Sequence, residues 1–267
     1  AEGHRPFFLH LSLTPVHADL TVPERYMAPF RGRWEETPVT RGGYFHQAEP
    51  KAAFAGKVAF LDDAMGRLFE RLDALGIDEQ TVVVFASDNG PHYEGGANAD
   101  TFDSNGPFRG GKRALFEGGI RTPQLVRWPG VIEAGGVSDL PTAFWDFAPT
   151  ALELAGGEAP ASMDGLSLVA TWTGEGEQAR HDFLYWEFHE QGGKQAVRRG
   201  RWKGIRLDAI AQPEGPLELY DLDADPGETT DVAADHPEIA LELAALMDTA
   251  HTPSERFDGF DGASPAP

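Results

Sequence analysis

The chain has 267 residues, 41% hydrophobic and 24% charged, the balance of a globular protein with one large domain or one large and one small. Its 22 basic and 43 acidic side chains leave a net charge of −21, which argues against nucleic acid or an anionic membrane as partner. The lack of cysteine excludes disulfides, thiolate metal sites and a cysteine nucleophile, and no run of 18 apolar residues predicts a membrane-spanning helix.

The chain opens on Ala1-Glu2-Gly3-His4-Arg5 with neither Met nor a leader pattern, and the expectation is that residues precede it. Phe7 to Leu13 is largely apolar and predicts a first strand, ended at Thr14-Pro15-Val16-His17 because Pro15 blocks further pairing. Residues 18–47 carry Pro, Gly, Arg and aromatics without period and read as a long loop with short turns. A helix is predicted from about Glu49 to Leu75. Val58, Leu61, Met65, Leu68, Leu72 and Leu75 fall at spacings of three and four, and Gly76 stands where a terminating glycine belongs. Asp62 and Asp63 within it read as a solvated face.

Val82 to Phe85 is a continuous apolar run, the sign of a strand buried on both faces. It stops at Ser87-Asp88-Asn89-Gly90. In α/β sheets the carboxyl end of a strand is where ligands bind. Asp88 and Asn89 offer the oxygen donors that calcium or magnesium prefers, while an Asx turn is the simpler use of the same letters. A Gly- and Asn-rich loop follows from Pro91 to Gly111 and holds His92. From Asn105 to Pro123 the chain reads N-G-P-F-R-G-G-K-R-A-L-F-E-G-G-I-R-T-P. Lys112 lies among glycines, with Arg109, Arg113 and Arg121 close by. This local reversal of sign in an acidic chain suits a small anion, since glycines admit backbone N–H groups and Lys supplies a point charge. A Gly-rich loop with solvated cations is the alternative.

Leu125 to Trp128 reads as another buried strand, and Thr142 to Leu154 as a helix kinked or split in two by Pro149. Residues 156–180 are low in pattern and mark a boundary, giving domains of 1–160 and 161–267. Beyond it, Phe183 to Phe188, Gln195 to Arg199, Trp202 to Leu207 and Leu217 to Leu222 are short strands between Gly or Pro turns. A last helix from Pro237 to Ala250 takes Asp235 as cap and sets Ile239, Leu243 and Leu246 on one face. Residues 251–267 read as a loose tail.

Taken together, P-F-F-L-H-L-S-L-T-P-V-H, D-D-A-M-G-R-L, T-V-V-V-F-A-S-D-N-G, the Gly-rich stretch around Lys112, W-P-G and L-Y-D-L-D-A-D-P-G-E-T-T-D resemble the sulfatase family, in that family's order and over nearly the whole chain. The resemblance implies an α/β fold of the alkaline-phosphatase-like kind, helices around a mixed sheet, with a small C-terminal antiparallel sheet and helix. It implies calcium held by Asp88 and Asn89. Lys112 would hold the sulfate oxygens and steady the leaving group, and His17, at the Pro-x-His turn, would contact the sulfate. His92, and His189 in E-F-H-E-Q-G-G-K, are weaker candidates for the substrate pocket. The implied substrate is a sulfated small molecule or carbohydrate, and the implied compartment periplasmic or secreted.

The family's formylglycine arises from the Cys or Ser of a C/S-x-P-x-R motif. Here there is no Cys, and Thr252-Pro253-Ser254-Glu255-Arg256 imitates that motif with the wrong spacing. The Asp pair that completes the calcium site is also missing, since Asp62-Asp63 matches the family's helix instead. The expectation is a C-terminal portion of a sulfatase, inactive alone and partnered by its own N-terminal segment. A non-catalytic anion- or metal-binding protein and a phosphoryl-transfer relative are the rival readings.

Overall fold

A computed structural model describes residues 5–40, 43–254, 256 and 260. In chain order the helices are α1 (Glu24–Met27), α2 (Pro50–Ala74), α3 (Ala99–Phe102), α4 (Glu117–Ile120), α5 (Phe147–Leu154), α6 (Val169–Thr173) and α7 (Pro237–Ala250). The strands are β1 (Val83–Ala86), β2 (Gln124–Arg127), β3 (Leu184–Phe188), β4 (Lys194–Arg199), β5 (Trp202–Leu207) and β6 (Leu217–Asp221). The chain packs as two units, residues 1–78 with 92–104, and residues 79–91 with 105–267.

In the first unit α2 is the main element. Pro50 sits in its first turn, and the Glu36 carboxylate caps it by accepting from the N–H groups of Lys51 and Ala52, both at 2.9 Å. Its C-terminus closes as predicted, with Gly76 at φ +66°. The buried face follows the predicted stripe only in part. Leu72 is buried and Leu61, Met65 and Leu68 half-buried, but Val58 and Leu75 are exposed, and Ala52, Ala53, Gly56 and Lys57 are buried instead. Small residues win because α1 crosses here. A Cβ on Gly56 would lie 3.1 Å from the Met27 backbone. Leu20, Met27, Ala52, Ala53 and Ala97 form the core. Asp62 and Asp63 face solvent, Asp63 accepting from Tyr26 Oη at 2.5 Å and Arg67 at 2.7 Å.

The predicted strand at 7–13 is absent. The segment forms no ladder with the described residues, and Phe7, Phe8, Leu9 and Leu11 are exposed, Phe8 by 72%. An apolar run predicts burial, but a strand also needs a neighbouring strand to pair with, and no described strand ladders with residues 7–13.

In the second unit β1 and β2 form a two-stranded antiparallel sheet, Val84 opposite Val126 and Phe85 opposite Leu125. Burial on both faces was expected of each. Instead β1 is only partly buried throughout, and Leu125 of β2 is 60% exposed. The helix is in two pieces, but it divides ahead of the proline: a 3₁₀ turn at Phe144–Asp146 leads into α5, which carries Pro149 in its first turn.

The other sheet is the antiparallel meander β3-β4-β5-β6 predicted from the sequence. Alternation along its strands fills two cores. Val197 and Leu219 point to one face and meet Leu243 and Met247 of α7. Ala196, Ile205 and Tyr220 point to the other and meet Leu115, Phe116 and Ile120. The Gly-rich segment therefore rests on the C-terminal sheet. α7 spans the predicted residues, but His236 rather than Asp235 precedes it and no side chain caps it. Most of the predicted tail lies outside the described residues.

Candidate functional site

The turn after β1 is built for backbone contact. Ser87 Oγ donates to Asn89 O at 2.9 Å, and Gly90 N–H to Gly119 O at 2.9 Å. The next residue, Pro91, accepts from the backbone N–H of Lys112 at 2.8 Å. A Cβ on Gly90 would run into the Gly118 carbonyl, and one on Gly118 would lie 2.5 Å from the carbonyl oxygens of both Arg109 and Gly110. These glycines are thus required by close approach of two chain segments. The structure brings Asp88-Asn89 and Lys112 into one cluster by main-chain bonds.

Their side chains remain available. Asp88 is exposed, and its carboxylate has no hydrogen bond or ion pair among the described residues. Asn89 spends its amide N–H on Gly90 O at 2.8 Å, leaving its carbonyl oxygen to accept. Two oxygen donors of this kind suit a hard cation, which takes about 6–8. Among the described residues no group of three or more His, Asp or Glu is arranged to hold a metal. The pair is suited to a hard cation but would have to be joined by other ligands.

The cations near Lys112 are mostly engaged. Arg109 donates to Tyr220 Oη at 3.0 Å and Glu228 O at 2.9 Å, and stacks over Phe116 at 3.9 Å. Arg113 lies 3.8 Å from Glu190, and Arg121 3.7 Å from Glu117. Lys112 alone of these four has neither hydrogen bond nor ion pair on its charged group among the described residues.

A buried charge cluster ties this loop to the sheet. Lys203 on β5 shares the inward face with Ile205, two residues on, and is fully buried. Its ammonium lies 2.8 Å from Glu117 and 2.9 Å from Glu228. The Glu228 carboxylate also accepts the Glu117 N–H at 2.5 Å. Burial pushes the Glu228 carboxyl up, and Glu117 adds to that, against the pull of Lys203. Sequence reasoning missed this cluster. The signal was present in Trp202 to Leu207, where Lys203 has the parity of an inward position.

His17 belongs to the first unit. Its Nδ1 lies 2.5 Å from Ala18 O, and its ring stacks on His92 at 5.4 Å. His92 is buried, with Nε2 3.3 Å from Val16 O and Nδ1 3.1 Å from the Glu94 carboxylate. Lys57, also missed, is buried and donates to the carbonyls of His17 and, at 2.7 Å, Asp19. His189 lies elsewhere, in the second unit. It stands 3.4 Å from Glu187, a carboxylate that also takes Tyr185 Oη and His251 Nδ1 at 2.5 Å each.

The sulfatase family model matches residues 1–157, and the model for the C-terminal region of N-sulphoglucosamine sulphohydrolase matches residues 108–251. Human arylsulfatase A is 33% identical over 97% of this chain and 53% of its own length. The crystal structure of Ps i-CgsB superposes with a TM-score of 0.76 at 26% identity, covering 92% of this chain and 50% of that one. A second structure, BT4656 in complex with its substrate D-glucosamine-2-N,6-O-disulfate, gives a TM-score of 0.60 at 25% identity over 79% of this chain and 41% of that one. The chain spans about half the length of the curated relatives it matches. Its architecture is the α/β, alkaline-phosphatase-like one of these structures.

Proposed function

The chain belongs to the sulfatase family, and on that premise we propose that it supplies part of the metal and sulfate site of a sulfuric ester hydrolase. Asp88 and Asn89 are the calcium ligands in this reading. Lys112 and His17 hold the sulfate group, and the substrate is a sulfated small molecule or carbohydrate. His92 and His189 stay secondary as pocket residues, because each is occupied with a carboxylate of its own unit.

The observation that carries the reading is Lys112. Its backbone is fixed to the Asp88-Asn89 turn, and its ammonium is left without a partner among the described residues. Cleavage of a sulfate ester builds negative charge on the bridging oxygen. A fixed ammonium there costs no reorganisation when that charge forms, which is how electrostatic stabilisation lowers a barrier. A hard cation on Asp88 and Asn89 would supply Lewis-acid polarisation of the sulfate oxygens. No residue of this chain fits as precursor of a formylglycine: it has no cysteine, and none of its serines heads an S-x-P-x-R sequence. Turnover is therefore not expected of this chain alone, and binding is its testable share.

We further propose a division near residue 160 between catalytic-domain and C-terminal parts. The end of the first family match at 157 and the placement of β3 to β6 and α7 beyond it support this.

Calorimetric titration of inorganic sulfate and of an aryl sulfate, with calcium present, tests the site. Lys112→Met is expected to weaken sulfate binding about tenfold or more, equivalent to the roughly 1.5–3 kcal/mol of a charge-assisted hydrogen bond. Asp88→Ala should weaken the calcium dependence instead. Equal sulfate affinity in the Lys112→Met chain would exclude the assignment.

A further inference from the structure

We propose that Lys57 is a positioning residue for His17, holding it in the tautomer whose Nδ1 carries the proton and whose Nε2 is open. The turn from Val16 to Asp19 is pinned through its carbonyls. Lys57 Nζ donates to His17 O and Asp19 O, the latter at 2.7 Å, and His92 Nε2 lies 3.3 Å from Val16 O. Both donors come from buried side chains. Lys57 has no ion pair among the described residues. An ammonium kept from water whose hydrogen bonds go to two carbonyls is an expensive arrangement. Burial lowers the Lys57 pKa from its ordinary value, and the Asp19 carboxylate opposes this.

The turn dictates the His17 proton. A carbonyl oxygen only accepts, so a nitrogen 2.5 Å from Ala18 O carries hydrogen. Neutral His17 then presents a lone pair at Nε2, opposite to the form that free histidine favours in water. A sulfate oxygen also only accepts. His17 can therefore bond it through Nε2 only after gaining a second proton. The groups facing the ring are His92, stacked at 5.4 Å, Lys57 on the His17 carbonyl, Asp19 beyond it, and Glu94 behind His92. Sulfate binding at His17 is thus coupled to proton uptake. That consequence rests on the sulfate role proposed above, while the tautomer and its dependence on Lys57 do not.

The test is long-range ¹H–¹⁵N NMR of the full 267-residue chain with labelled histidine, the His17 signals assigned by their loss in His17→Gln. Neutral His17 is expected as the Nδ1–H form. Inorganic sulfate should convert it to the doubly protonated pattern, with an affinity that falls about tenfold per pH unit above its titration midpoint. Lys57→Met should move neutral His17 towards the Nε2–H form without altering the His181 and His236 signals, and Lys57→Arg, which keeps the donors, should restore it. A wild-type chain in the Nε2–H form overturns the proposal whatever the variants do. So does a folded Lys57→Met chain with unchanged His17 signals. If Lys57→Met does not fold, the wild-type and Lys57→Arg spectra decide: an Nε2–H form in either overturns the proposal, and an Nδ1–H form in both supports it. An Nδ1–H chain whose His17 ignores sulfate overturns the sulfate role and leaves the positioning role standing.

Discussion

At the scale of single residues, Gly90 and Gly66 make opposite cases. Neither needs a left-handed backbone, so only the space around a new Cβ matters. At Gly90 that atom would meet the Gly118 carbonyl and lie 3.0 Å from Gly119 Cα. Gly90→Ala is expected to cost at least about 1–3 kcal/mol by urea unfolding, because two main-chain segments must part. At Gly66, within α2, nothing lies within 4 Å. Gly66→Ala is expected to stabilise by about 0.5–1 kcal/mol, the ordinary helix preference. The sequence announced a turn at Ser87-Asp88-Asn89-Gly90, because an acid, an amide and a glycine after a strand have few other uses. It did not announce why the glycine must be there. The atoms that forbid a methyl group belong to Gly118 and Gly119, almost thirty residues away. The same limit hid Lys57, whose neighbours in sequence say nothing about two carbonyls near His17.

Among the elements, the C-terminal meander was the most legible part. Each of its strands fell within one residue of expectation, because short alternating runs between Gly and Pro turns allow little else. The strands at 83–86 and 124–127 were found but misjudged in burial. An apolar run records the surface a strand is made to meet, and with only each other for partners among the described residues these two stay half-covered. Beside the apolar packing, an ionic cluster binds the meander to the loop of Lys112: Lys203 between Glu117 and Glu228. The Glu228 carboxyl titrates above its unfolded value of about 4.5. The folded state therefore holds this proton more tightly than the unfolded one. The contribution is complete below that unfolded value and is lost as pH rises through the folded one. Chemical denaturation of the wild-type and Glu228→Gln chains across pH 4–8 should show the wild type losing stability relative to the variant over that window. A difference that does not vary with pH would count against a raised Glu228.

At the scale of the whole molecule, the family and fold were legible from ordered motifs, and the placement of its apolar surface was not. Phe7, Phe8, Leu9 and Leu11 stand exposed in a row, an association-prone surface on a chain whose net charge of −21 otherwise favours dispersal. Replacing Phe8 and Leu9 together by Ser is expected to reduce light scattering on concentration while changing stability by no more than ~0.5 kcal/mol. Unchanged scattering would move the source of association elsewhere. The buried cluster at Lys203 has a consequence in time as well as in space. Glu117 reaches Lys203 across 86 residues of sequence, and Glu228 across 111. During translation the stretch bearing Lys112 emerges long before either counterpart exists. Its anchoring must wait until the chain has emerged as far as Lys203 and Glu228.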